Sequence, residues 1–195
     1  MNLNPMSIPL INSPSQSIYQ RRIAIISDTH GYVDENVLKA IQGCDRIIHA
    51  GDICGAHVLS QLECICPNIT AVTGNNDNVD LWPDSEASVV NNLPAIAELE
   101  LPGGTLAVEH GHKHGMHQPD HESLRASHPQ AKVIVYGHTH TMLIDDSKTP
   151  WVINPGAAGK TRTGGGASCI MLNAVTDGNW DIEMLRFEDN KGSIA

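Results

Sequence analysis

The chain has 195 residues, an ordinary apolar content and a formal net charge of −10. That length suits one domain able to bury roughly 70% of its unfolded surface, and the composition excludes a largely disordered chain. The acidic balance, with three Trp, three Tyr and one Phe, argues against a basic groove and a base-stacking surface, so a small substrate is expected and long nucleic acid is not.

Residues 1–20 read as a mobile N-terminal extension, with Pro5, Pro9 and Pro14 but no secretory signal. Strands are then expected at 22–27, 45–49 and 69–73, each built on an Ile- or Val-rich run, with helices at about 34–42 and 56–65 between them. Asp34 suits the start of the first helix and Gly43 its end. This βαβαβ order implies parallel strands joined by right-handed crossovers.

The second half reads as richer in hairpins. Ile96–Leu101 and Thr105–Val108 flank Pro102-Gly103-Gly104, and Ile170–Val175 and Trp180–Phe187 flank Asp177-Gly178-Asn179. A helix at about 120–128 and strands at Val133–Tyr136 and Trp151–Ile153 lie between them. Residues 189–195 read as a polar tail. The expectation is one α/β domain over 21–188, with two packed mixed sheets and helices outside. No apolar run approaches the ~18 residues a bilayer span needs, so no membrane is expected as a partner. The five cysteines lack a framework or zinc-site spacing, and Cys64-Ile65-Cys66 reads as two buried or half-buried thiols. A reducing cytoplasm is the expected compartment.

Five polar clusters follow the apolar runs: Asp28-Thr29-His30-Gly31, Gly51-Asp52, Gly74-Asn75-Asn76-Asp77, His110-Gly111-His112 and Gly137-His138-Thr139-His140. Carboxylate, amide and imidazole donors at strand ends are sufficient to hold two divalent cations sharing one carboxylate, and Asp52 could bridge. Asp28 with His30, and His138 with His140, are expected to converge because alternate residues on an extended segment share a face. Donors without thiolate suit Mn, Fe or Zn. His49 reads as a neighbour of the ligands, and Asp77 as a clamp on its own turn. The histidines after His110 (His112, His114, His117 and His121) read as a solvated loop, with His112 the one that could face substrate. Arg162 stands in a glycine-rich stretch, as either a substrate contact or a surface charge.

The ordered motifs resemble the calcineurin-like metallophosphoesterase superfamily, in its small bacterial and archaeal phosphodiesterase branch related to the retromer subunit of eukaryotes. The resemblance implies a four-layer α-β-β-α sandwich. It also implies one metal held by Asp28, His30, Asp52 and His140, and a second held by Asp52, Asn75, His110 and His138. Asn154-Pro155-Gly156 matches a structural turn close to the site. Manganese is the first choice of metal, with Fe, Zn or Ni as alternatives.

Two cations about 3.5–4 Å apart would acidify a bridging water, whose hydroxide attacks a small phosphate ester in line. One departure stands out: where many catalysts of the superfamily have Gly-Asn-His-Asp, this chain has Asn76, which cannot titrate. Asn76 and His112 therefore join Asp52 and Asn75 as candidate catalytic residues. The alternative reading is a scaffold of the same fold, catalytically weak or inactive, that binds protein partners. A homo-oligomer is left open.

Overall fold

Alternation along the first strand decides the layering. In β1 (Gln20–Ile26), Ile23 and Ile25 enter one buried cluster while Ala24 and Ile26 enter another, as side chains on a strand must. The computed structural model describes residues 19–160 and 165–188. Most of the expected N-terminal extension, the expected tail and Arg162 lie outside those residues, while Gln20 already belongs to β1.

The βαβαβ unit forms as expected. It comprises β1, α1 (Glu35–Ala40), β2 (Arg46–His49), α2 (Ala56–Glu63) and β3 (Ile69–Ala71), with β1–β2 and β2–β3 parallel. Asp34 caps α1 by accepting from Asn36 N. A short helix that sequence reading missed, α3 (Ala87–Asn92), follows. Then come the expected hairpin of β4 (Ile96–Leu101) and β5 (Gly104–Glu109), helix α4 (His121–Ser127) and β6 (Val133–Val135). β7 (Met142–Asp145), also missed, pairs antiparallel with β8 (Trp151–Pro155).

The second half is less purely hairpin than expected, because β5, β6 and β8 are parallel neighbours. The last hairpin, β9 (Ala167–Val175) and β10 (Asp181–Phe187), returns to the first sheet, where β9 pairs antiparallel with β1. Two mixed five-stranded sheets result, in the orders β10-β9-β1-β2-β3 and β4-β5-β6-β8-β7.

Three clusters fill the spaces between layers. Ile23, Ile25, Ile48, Leu106, Val135, Ile153 and Leu172 pack between the sheets. Val37 of α1 and Leu62 of α2 cover Ile26 and Ile47 on one outer face, and Leu124 of α4 covers Ala107 and Ile134 on the other. This is the four-layer α-β-β-α arrangement. Ile25 is fully buried, so Ile25→Ala would cost about 2–5 kcal/mol. The parallel strands of both sheets deliver the loops after β1, β2, β3, β5 and β6 to one edge of the sandwich, where Asp28 N donates to Gly51 O at 3.0 Å and Gly137 N to His110 O at 3.2 Å.

Candidate metal centre

Left-handed backbone, rather than strand alternation, makes the polar residues converge. Among the described residues, every non-glycine with positive φ lies in three loops: Asp28 (53°) and His30 (46°), Asp52 (53°) and Cys54 (59°), His138 (69°) and His140 (56°). The expectation of extended segments is therefore corrected. Each such residue costs about 1–2 kcal/mol, strain of a kind that concentrates at functional sites. Cys54 repeats the same spacing after Asp52, and its Sγ lies 3.6 Å from His30 Nδ1.

In the first half of the site, His30 Nε2 faces His140 Nε2 at 3.1 Å, and His140 Nε2 lies 3.3 Å from Asp28 Oδ1. Asp28 is fully buried; its Oδ2 accepts from His138 N at 3.0 Å, but among the described residues Oδ1 accepts no hydrogen bond. A buried carboxylate oxygen without a hydrogen bond, beside two imidazole nitrogens, fits the ligand set of a cation. In the second half, Asn75 Oδ1 lies 3.2 Å from His110 Nε2 and 2.9 Å from His138 Nδ1. The far nitrogens of these rings donate to carbonyls, His110 Nδ1 to Ala50 O and His138 Nε2 to Met116 O, both at 2.7 Å. With both rings neutral, as metal ligation requires, the near nitrogens would be bare and three acceptors would point at one another.

Asp52 lies between the halves. Its Oδ1 is 3.4 Å from His110 Nε2 and its Oδ2 is 3.7 Å from His30 Nε2. Donor atoms of Asp28, His30 and His140 all lie within 4.8 Å of one another, as do those of Asp28, Asp52 and His110, so each group could hold a cation. The donor set thus fits divalent metal on this structure's own geometry.

Burial pushes the Asp52 carboxyl pKa up, but the bond and charge of His110 and two bonds from Asn76 outweigh it and hold the pKa well below the usual range. Burial likewise works against a protonated His110, yet Asp52 and Asp28 beside it raise its pKa. The same negative field favours a cation. Two glycines allow the close approach: a Cβ on Gly74 would run into Asp52, and one on Gly51 (φ 93°) would lie 2.7 Å from His110 Nδ1.

The surrounding residues hold these loops. His49, fully buried, has its pKa driven down to about 4 by burial. Its Nδ1 accepts from Gly51 N and its Nε2 meets Thr29 Oγ1 at 3.0 Å, so it supports the loops as expected. Asp77 does more than close its own turn. It accepts from Gly74 N at 2.8 Å, from Ile53 N at 3.0 Å and from Cys54 N at 2.9 Å, tying the loop after β3 to the loop after β2. Asn154 donates to Gly137 O at 2.7 Å, which places its turn beside the site.

Asn76 does not project freely toward a substrate. Its Nδ2 donates to Asp52 Oδ2 at 2.6 Å and its N to Asp52 Oδ1 at 2.8 Å. The His112 ring lies 5.5 Å from that of His110 and 6.1 Å from that of His138, and its buried Nδ1 has no hydrogen-bond partner among the described residues. Burial, then the neighbouring histidines, lower its pKa.

The expectation of a solvated histidine loop is corrected for two members. His114 bonds the buried Glu109, and His121 bonds Asp145 at 2.7 Å, while His117 is exposed. Cys54, Glu109 and the Met116 carbonyl were missed in the sequence. A charge closing the apolar strand before His110 was the one available signal for Glu109.

The family model described as the calcineurin-like phosphoesterase superfamily domain matches residues 22–177. The chain belongs to this metallophosphoesterase family. It is 31% identical over 144 residues to phosphodiesterase MJ0936 of Methanocaldococcus jannaschii, covering 69% of this chain and 82% of that protein. Its fold is similar to Vacuolar Protein Sorting 29 from Cryptosporidium parvum, with a TM-score of 0.66 at 19% identity, over 88% of this chain and 100% of that one. It is also similar in fold to Vps29 from Entamoeba histolytica solved with Zn²⁺, with a TM-score of 0.64 at 17% identity, over 86% and 99%. Among the described residues, no helix is long and apolar enough to cross a membrane.

Proposed function

We propose that the chain is a dinuclear-metal phosphodiesterase acting on a small phosphate ester, and that the carrying observation is the placement of Asp52. Its two oxygens reach toward opposite halves of the site, as a bridging ligand requires. Asp28, His30 and His140 would complete one coordination sphere with Asp52, and Asn75, His110 and His138 the other. Two divalent cations held there would acidify water and offset charge developing on phosphoryl oxygens. Mixed oxygen and nitrogen donors suit Mn, Fe or Zn; Mn is the proposed metal, with Fe, Zn or Ni as alternatives.

The chain's own residues then divide the work. The carbonyls of Ala50 and Met116 fix the tautomers of His110 and His138. Asn76 holds the Asp52 carboxylate, and His112, its ring 5.5 Å from that of His110, would meet the phosphoryl group or the leaving oxygen. Names of relatives such as the M. jannaschii phosphodiesterase support ester hydrolysis, and the net charge of −10 favours a small substrate over long nucleic acid. The proposed setting is a reducing cytoplasm without membrane attachment.

The test is metal analysis of purified protein followed by a screen of phosphomonoesters and phosphodiesters with Mn²⁺ added. Two cations per chain and hydrolysis of aryl phosphodiesters are expected. Bound cations with no turnover on any ester would favour the scaffold reading instead.

A further inference from the structure

The loop after His110 carries a device that the proposed chemistry does not by itself require. Met116 O accepts from His138 Nε2 at 2.7 Å, yet Met116 itself is 76% exposed, so burial of this residue does little to hold the loop. The anchor lies elsewhere. Glu109, 4% exposed at the end of β5, accepts from His114 Nε2 at 3.1 Å on each oxygen and from His128 Nε2 at 2.8 Å. His114 Nδ1 meets Ser123 Oγ of α4 at 2.8 Å, so one imidazole joins the strand, the loop and the helix. The main chain adds His114 N to Gly111 O at 2.9 Å and Asp120 N to His114 O at 3.0 Å. His114 is thus fixed two residues before the carbonyl that His138 uses.

We propose that Glu109 is a positioning residue: acting through His114, its carboxylate holds the Met116 carbonyl against His138 Nε2, so that His138 presents Nδ1 to the second half of the site. A histidine with its far nitrogen fixed to an acceptor keeps one tautomer and one ring orientation, and losing such a partner typically lowers metal affinity about 10–100-fold. The second cation sphere is therefore built partly from an acid that touches neither cation nor substrate. This claim rests on the dinuclear reading for its effect on affinity, but not for its effect on the His138 tautomer.

The test uses the full chain, loaded with Zn²⁺ and also metal-free, as wild type, Glu109→Gln and His114→Ala. Histidine ¹⁵N NMR reads which His138 nitrogen carries the proton and how fast that proton exchanges, and calorimetry reads Zn²⁺ affinity. In wild type the proton is expected on Nε2 and slow to exchange. In both variants its exchange should quicken at least 10-fold and affinity for the weaker-bound Zn²⁺ should fall about 10-fold or more, with the tighter site changed less. If Glu109→Gln does not fold, His114→Ala decides the question. A folded His114→Ala protein with unchanged His138 exchange and affinities within twofold of wild type would overturn the proposal, as would an effect in Glu109→Gln alone. A wild type that binds no Zn²⁺ would overturn the dinuclear reading instead, and the metal-free spectra would still decide the positioning claim.

Discussion

Asn76 grips Asp52 from two sides, donating from its side chain at 2.6 Å and from its main chain at 2.8 Å to the two carboxylate oxygens. A residue that looks in the sequence like a missing proton donor is, in the fold, a holder of the proposed bridge. Asn76→Ala should therefore weaken cation binding about 10-fold or more while the main-chain bond remains. Calorimetric titration with Mn²⁺ checks this, and an unchanged affinity would remove the holding role. Asn76→His gives up the same amide donor, so any gain it brings in protonating a leaving group should come with weaker metal.

With the Asn76 amide committed to Asp52, the leaving group lacks the usual imidazole donor at that position. Hydrolysis should then depend steeply on leaving-group acidity, with aryl phosphodiesters good substrates and simple alkyl esters poor ones. A positioned acid is worth about 10²–10⁴-fold. Rates over leaving groups of graded pKa, for wild type and His112→Ala, test the point. A flat wild-type series that steepens in His112→Ala would assign the proton to His112, and flat series in both would end the leaving-group argument.

Chelation should abolish hydrolysis without abolishing the fold. The clusters between and outside the sheets are mainly aliphatic and are built from apolar side chains rather than from the proposed ligands, unlike the cores of small zinc modules. A ligand at a hundredfold its Kd adds about 2.7 kcal/mol, so chelation should lower Tm by roughly 5–10 °C per saturated site. Scanning calorimetry with and without chelator checks this, and loss of a cooperative transition would contradict it.

Stability of the metal-free protein should fall as the pH rises above neutrality. The Glu109 bond, with help from Glu98, raises the pKa of His128 despite burial. Glu109 Oε1 lies 2.8 Å and Glu98 Oε1 3.5 Å from the ring, and His114 shares Glu109. A histidine with a raised folded-state pKa contributes its full stabilisation below the unfolded value, about 6.5, and loses it as pH climbs through the folded value. His128→Gln should therefore cost more at pH 5.5 than at pH 8.5. A charged buried hydrogen bond is worth about 1.5–3 kcal/mol, so chemical denaturation at the two pH values resolves the difference. Equal costs would deny the charged pair.

Sequence reading reached the strand ends and their donors because chemistry and order both mark them. Asp28, His30, Asp52, Asn75, His110, His138 and His140 follow apolar runs that became β1, β2, β3, β5 and β6. It did not reach the way they converge, since left-handed backbone at Asp28 or His140 leaves no mark in residue type. The return of β9 to β1 is a long-range pairing that local pattern does not encode. β7 escaped notice because its four half-buried residues lack the clean alternation of a strand with one wet face. Glu109 was hidden by its neighbour: beside His110 it looks like any charge closing a strand, and only the fold brings His114 and His128 to it.

Asp52→Asn tests the central claim most directly, because it keeps the side chain's shape and removes its charge from between the two halves of the site. Cation stoichiometry by calorimetry and elemental analysis is measured beside hydrolysis of an aryl phosphodiester, for wild type and variant. The account predicts two cations per wild-type chain, weakened binding at both positions in Asp52→Asn, and no detectable hydrolysis by the variant. A variant that keeps two cations per chain at wild-type affinity, with near-normal turnover, would contradict it.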